Sequence, residues 1–140
     1  LIVRRSWQPA DELILTLHME PEFVSPHPRI DAIRGCVAVQ RGPLVYCFES
    51  HDQPAGVGLL DVKVVTNDPL FVAPVDILGG VMAVRLTGRT TMDKWGGSLY
   101  QPLEEVSEAE SESVQLVAMP YFAWGNRGMQ SMRVWVPTQE

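Results

Sequence analysis

The ten residues from Met119 to Gly128 contain the densest group of side chains that could bind a ligand. Aromatic rings stack on the C–H faces of sugars, and amide and guanidinium groups donate hydrogen bonds to sugar hydroxyls. The segment therefore supplies candidates for a carbohydrate site or a domain interface, namely Tyr121, Phe122, Trp124, Asn126 and Arg127. In a purely structural alternative, Tyr121 and Phe122 seal the end of a β-sandwich and Trp124 packs on a neighbouring domain. Three further tryptophans are interpreted as ordinary core or edge aromatics: Trp7, Trp95 and Trp135.

The sequence predicts no catalytic residues and no metal ligands. The histidines His18, His27 and His51 are far apart and lack the His-x-x-x-His spacing that places two ligands on one helix face. No Gly-x-Ser-x-Gly nucleophile elbow is present. Glycoside hydrolysis requires two carboxyl groups that converge across a pocket. Four carboxylates are candidates by type only, and their spacing does not bring them together: Glu20, Glu22, Glu49 and Asp52.

The composition indicates one globular domain and excludes some partners. The 140 residues are 46% hydrophobic and 20% charged and carry a net charge of −6, which disfavours nucleic acid and anionic membranes as partners. Two cysteines, Cys36 and Cys47, are too few for a disulfide scaffold or a zinc site, and we interpret them as two buried thiols. The chain begins with Leu and shows no signal peptide, so we expect a truncated fragment and favour a cytoplasmic location.

The acidity is concentrated in one Ser/Glu segment, residues 104–113. Five glutamates fall within nine residues there: Glu104, Glu105, Glu108, Glu110 and Glu112. Such a run predicts a solvated loop. It lacks the Asp/Gly spacing of known calcium loops.

The dominant hydrophobic period is two, which predicts strands and little or no helix. Residues 12–19 alternate strictly, with Leu13, Leu15, Leu17 and Met19 on one face. Further predicted strands are 1–4, 36–40, 44–49, 61–65, 80–86, 114–118 and 131–136, separated by turn signals. This pattern predicts an all-β, antiparallel, jelly-roll-like β-sandwich. A boundary near Ser50 divides the chain into 1–50, strands of a first β-sandwich, and 51–140, a second one, unless the two pack as one unit.

Two motifs resemble a known family. Residues 37–49, Val-Ala-Val-Gln-Arg-Gly-Pro-Leu-Val-Tyr-Cys-Phe-Glu, and residues 120–128 followed by Met132–Val136, resemble segments of glycoside hydrolase family 127, the β-L-arabinofuranosidase-like proteins. The resemblance implies a parent protein with an (α/α)6 catalytic barrel followed by two β-sandwich domains. This chain matches only the C-terminal β-sandwich part. The zinc-held cysteine nucleophile and the glutamates of the family belong to the barrel, so no catalytic residue and no cofactor is expected here.

From the resemblance we expect a non-catalytic accessory domain of a parent glycoside hydrolase. It would dock on its own catalytic barrel through the 120–128 loop and through Tyr46 and Phe48. An exposed docking surface would also allow a homodimer of the isolated chain. The alternative function is a carbohydrate-binding module for arabinose-containing glycans that uses the aromatic loop.

Overall fold

The regular structure of the chain is almost entirely β-strand. A computed structural model describes residues 2–92, 99–100, 102–105 and 110–139. Its strands are β1 (Pro21–Val24), β2 (Cys36–Arg41), β3 (Leu44–Glu49), β4 (Val62–Val64), β5 (Phe71–Val75), β6 (Val81–Met92), β7 (Glu110–Pro120), β8 (Met132–Arg133) and β9 (Val136–Pro137). Short 3₁₀ turns lie at Asp31–Ile33, Ser50–Asp52, Leu103–Glu105 and Tyr121–Ala123. No α-helix occurs in these ranges, which confirms the all-β prediction.

The strands join into one curled sheet with the order β1-β2-β3-β7-β6-β4. Each neighbouring pair along this path is antiparallel, while β5 pairs with β6, β8 with β3, and β9 with β2. The sheet crosses position 50 without a break, because Cys47 of β3 lies opposite Met119 of β7. The assignment of residues 1–50 to a first β-sandwich stays a prediction.

A two-residue turn joins β2 to β3. Arg41 and Leu44 are register partners, so only Gly42 and Pro43 form the loop. Gly42 has a φ of +57°, and a positive φ at the first loop position is typical of the type II′ turn that suits two-residue hairpins. Pro43 therefore occupies a turn position that needs no N–H donor, and it does not interrupt the sheet.

The longest hairpin, β6–β7, extends the regular sheet into the acidic segment. Its register runs from Val84 opposite Ala118 to Met92 opposite Glu110. The loop prediction is therefore wrong for Glu110 and Glu112, because the backbone of both residues pairs with β6. Glu112 is exposed, so the strand accepts it without burying its charge. Glu108 lies outside the described residues.

The core has two parts, on opposite faces of the sheet. The main cluster includes Phe48, Val84 and Leu116 and is centred on the β3, β6 and β7 strands. A smaller cluster on the other face joins Val81 and Ala83 to Met119. Because side chains alternate along a strand, β6 and β7 contribute to both clusters. The second face is also the one on which β3 places Cys47 and Glu49.

Residues 2–20 contain no strand, so the strand predicted at 12–19 is not formed, and neither is the part of the strand predicted at 1–4 that falls on residues 2–4. Leu1 lies outside the described residues. Leu13, Leu15 and Leu17 are exposed. They pair with no strand in the described part of the chain. The hydrophobic alternation of residues 12–19 is present in the sequence, but the segment is unpaired among the described residues of this structure.

Candidate functional site

Three neighbouring aromatic side chains stand on the surface directly after β7. Tyr121 is 44% exposed, Phe122 60% and Trp124 43%. The rings of Tyr121 and Trp124 are 5.8 Å apart between centroids and tilted by 36°. We refer to these three residues as the aromatic patch.

The turn at Tyr121–Ala123 determines which side chains face outwards. β7 ends at Pro120, which is buried opposite Tyr46 of β3. The backbone N–H of Trp124 then donates to the carbonyl of Tyr121 at 3.1 Å and closes the 3₁₀ turn. Ala123 points inwards and is buried, so the larger side chains on either side of it are directed to solvent.

Asn126 stabilises this turn and is not free for a ligand through its amide nitrogen. Its Nδ2 donates to the carbonyl of Ala123 at 3.0 Å and to that of Trp124 at 3.4 Å. These carbonyls follow a short 3₁₀ turn and have no ladder partner, so the side chain satisfies them. The Asn126 amide therefore stabilises the local backbone conformation by hydrogen bonding.

Arg127 fastens the loop to the sheet through two carboxylates. Its Nη1 donates to Asp52 Oδ1 at 2.5 Å and its Nη2 donates to Asp52 Oδ2 at 2.7 Å, a bidentate pair. Its Nη2 also donates to Glu49 Oε2. Hydrogen bonding to Asp52, followed by that to Glu49, raises the pKa of Arg127 above its usual range. We refer to Arg127, Glu49 and Asp52 as the ion-pair cluster.

Glu49 is the fully buried member of the ion-pair cluster. It ends β3, and its Oε1 accepts a hydrogen bond from the backbone N–H of Gly125 at 3.2 Å. A buried carboxylate is tolerated only when charge and hydrogen bonds compensate its desolvation. Arg127 and Gly125 supply both, and both belong to the loop that carries the aromatic patch.

Gln53 provides a second attachment that the sequence did not reveal. Its side-chain amide donates to the carbonyls of Glu49 at 2.8 Å and Val117 at 2.9 Å, and accepts from the N–H of Val117 at 3.1 Å. The Gln53 side chain thus forms with Val117 the pair of hydrogen bonds that a neighbouring strand would form with β7. The one available signal was a polar residue soon after the end of β3, separated from it by the 3₁₀ turn Ser50–Asp52, and this is weak evidence for such a role.

The Cys47 thiol lies beside the ion-pair cluster and is buried. Burial, and then the charges of Glu49 and Asp52, raise the pKa of Cys47 to about 12. Cys36 is half-buried, so the expectation of two buried thiols is wrong for Cys36. Both cysteines are free.

This contrast predicts selective thiol chemistry. In the native chain at pH 8, Cys36 is expected to react with Ellman's reagent and Cys47 to stay protected, because only the thiolate reacts. Unfolding in guanidinium should then release the second thiol. Fast native labelling of both thiols would contradict the burial of Cys47, and Cys36→Ser serves as the control that removes the first phase.

The other sequence candidates do not gather into a site. The side chains of His18, His27 and His51 are all exposed, and the three residues lie on different segments. Among the described residues, no group of three His, Cys, Asp or Glu side chains is arranged to hold a metal ion. Within the same ranges, no helix is both long and apolar enough to cross a membrane.

Tyr46 and Phe48 are not docking residues, contrary to expectation. Both are core residues with essentially no exposure, because they face the main cluster from β3. Tyr46 donates its hydroxyl to the Met82 carbonyl at 2.8 Å, and burial raises the pKa of Tyr46. Trp7 is exposed with Arg5 over its ring, and Trp135 is half-buried. Trp95 lies outside the described residues.

Comparison with known proteins gives one consistent answer. The sequence model of the glycoside hydrolase family 127 C-terminal domain matches residues 21–137. A non-reducing end β-L-arabinofuranosidase of Bifidobacterium longum subsp. longum is 37% identical over 126 residues, which are 88% of this chain and 19% of that protein.

Solved structures agree with the sequence matches. A glycoside hydrolase superimposes with a TM-score of 0.76 and 35% identity over 87% of this chain and 20% of that one. A GH127 β-L-arabinofuranosidase from Geobacillus stearothermophilus T6 gives a TM-score of 0.74 and 34% identity over 86% of this chain and 18% of that one. The chain thus spans about a fifth of the length of these relatives.

Proposed function

Because the chain belongs to the family of glycoside hydrolase family 127 C-terminal domains, we propose that it is the non-catalytic accessory domain of a longer, β-L-arabinofuranosidase-like protein. In this role the aromatic patch docks against the polypeptide that precedes the domain. The observation that carries the proposal is a set of three exposed aromatic side chains on a turn locked by a buried ion-pair cluster.

The patch has the physical properties of an interface anchor. Aromatic residues are enriched among residues that dominate binding energy, since each buries about 150–250 Å² with few rotatable bonds. The turn that presents them is already fixed by Arg127 and Asn126, so docking orders little additional backbone. A rigid apolar surface of this kind favours a permanent partner within the same polypeptide.

A carbohydrate-binding module fits the same surface less well. Sugar stacking across two rings favours coplanar faces, but Tyr121 and Trp124 are tilted by 36°. The polar groups expected to bind hydroxyls are already engaged, Asn126 with backbone carbonyls and Arg127 with carboxylates. Arg127 Nε has no hydrogen-bond partner among the described residues, but it is buried and cannot reach a sugar hydroxyl.

Trp124→Ala tests the docking role, with Met129→Ala as the matched control. Met129 is fully exposed in the same loop but outside the aromatic patch. In the 140-residue chain, both variants are expected to retain the fold. In the longer protein, Trp124→Ala should weaken attachment of this domain by about 2 kcal/mol or more, measured as earlier release of the domain in denaturant-dependent proteolysis. Met129→Ala should change nothing.

Three outcomes would overturn the proposal. Equal effects of both variants in the longer protein would show that the patch is not an interface. Hydrolysis of an aryl β-L-arabinofuranoside by the pure 140-residue chain would show a catalytic role. Saturable indole NMR shifts of Trp124 with L-arabinose, where we expect none, would instead support the binding-module function.

A further inference from the structure

Residues 12–19 carry the sequence pattern of a strand but pair with no strand in the described part of the chain. Leu13, Leu15 and Leu17 alternate with Ile14, Thr16 and His18. All six side chains are exposed, with Leu15 at 65% and Ile14 at 83%. Strict alternation with three leucines on one face is typical of a strand with one buried face.

The backbone of this segment is also unpaired. Within the described part of the chain, no backbone hydrogen bond links residues 12–19 to any strand. Native proteins avoid a stretch of unpaired backbone N–H and C=O groups beside exposed leucines unless another strand covers it. Both the side chains and the backbone therefore lack the same partner, a sheet edge.

The two ends of the segment make different contacts. Upstream, Asp11 accepts hydrogen bonds from the Gln8 N–H at 2.8 Å and from Arg5 at 2.9 Å, and its own N–H donates to the Gln8 carbonyl at 3.1 Å, which forms a local turn within the exposed N-terminal stretch. Downstream, half-buried Met19 lies against Gly42, where a Cβ would overlap its sulfur. The segment therefore runs from a local turn to a contact with the β2–β3 hairpin.

We propose that residues 12–19 form a β-strand that adds to the edge of a β-sheet in the polypeptide preceding this domain, with the leucine face buried in that sheet's core. The proposal rests on the proposed function, because it needs the longer protein. It makes the segment a second, backbone-mediated contact with the same partner, independent of the aromatic patch.

The position at which the family domain begins indicates which polypeptide would pair with residues 12–19. The family match starts at Pro21, two residues after the segment, so the domain itself does not include these residues. The relatives devote about four-fifths of their length to other parts, since the match covers 19% of the Bifidobacterium protein. The edge strand of a β-sheet in that remaining polypeptide would offer the segment both an apolar face and unpaired backbone groups.

Hydrogen exchange measures the pairing directly. In the 140-residue chain, the amides of 12–19 are expected to exchange without protection, while those of β6 and β7 are slow. In the longer protein, at least alternate amides of 12–19 should exchange about tenfold or more slowly, because an edge strand pairs every second residue. Absence of protection in the longer protein would overturn the proposal, as would concentration-dependent protection in the isolated chain, which indicates pairing between copies.

A matched pair of substitutions tests the buried face. Leu15→Asp and Ile14→Asp place the same charge on neighbouring, similarly exposed residues. In the longer protein only Leu15→Asp should remove the protection and lower the melting temperature by several degrees, because only its side chain faces the added sheet. In the isolated chain neither should have an effect. Equal effects in the longer protein would contradict the assigned face.

The two proposals fail in different ways. If Trp124→Ala leaves attachment unchanged while the amides of 12–19 are protected, docking through the patch is wrong and the added strand holds. If Trp124→Ala releases the domain while 12–19 exchange freely, the docking role holds and the segment is a plain connection. Each result therefore decides one proposal by itself.

Discussion

Arg127→Met is expected to lower the free energy of unfolding of the chain by about 3–5 kcal/mol, because it leaves a buried charge without its partner. Glu49 is fully buried, and its Oε2 accepts from Arg127. Among the described residues, only the Gly125 N–H would remain as a donor to that carboxylate. Urea unfolding followed by tryptophan fluorescence measures the loss.

A double variant separates the buried charge from the general loss of packing. Glu49→Gln together with Arg127→Met removes the charge and its partner at once, and it should recover at least half of the single-variant loss. Asp52 then lacks its bidentate donor but is not fully buried, so its cost stays smaller. If the double variant were as unstable as Arg127→Met alone, the buried charge would not be the cause.

The same variant connects stability with the aromatic patch. Arg127 lies three residues after Trp124, and its three donors to Glu49 and Asp52 hold the loop against the end of β3. Without them the patch has fewer constraints and docking must order the loop. The geometry therefore gives Arg127 a positioning role for the aromatic patch. We expect its removal to weaken the proposed docking in the longer protein as well.

Strands could largely be predicted from the sequence where apolar and polar residues alternate and so define the two faces of the strand. β3 matches its predicted bounds, and β2 extends its prediction by one residue. β6 and β7 run several residues further than predicted, because their Thr- and Ser-rich ends pair with each other. The single strand predicted at 131–136 is two short strands on different neighbours, β3 and β2.

What the sequence could not reveal depends on contacts between distant residues. β1 and β5 were missed because Pro21–Val24 and Phe71–Val75 are short and contain proline, and their pairing with β2 and β6 decides their structure. The ion-pair cluster joins residues 75 to 78 positions apart. The sequence predicted Arg127 as part of a carbohydrate site or a domain interface, and only the fold brings Glu49 and Asp52 to it.

Leu116→Ala is expected to cost about 2–5 kcal/mol, because Leu116 is fully buried in the main cluster. Its side chain covers Gly88 of β6, which has no Cβ. A Cβ built there would overlap Leu116 Cδ1 and lie 2.8 Å from Cγ and 3.2 Å from the Lys63 carbonyl. Gly88→Ala alone should therefore cost about 1–3 kcal/mol through overpacking.

The two substitutions are expected to compensate each other in part. Leu116→Ala removes the two atoms that a Cβ at position 88 would meet first, so the methyl group of Gly88→Ala can enter the vacated space. The double variant should therefore be at least about 1 kcal/mol more stable than the sum of the single effects predicts. Val37→Ala lies on β2, three strands along in the sheet order, and its cycle with Gly88→Ala should be additive. Additivity for Leu116 as well would mean that Gly88 is required by the backbone of β6 and not by the leucine above it.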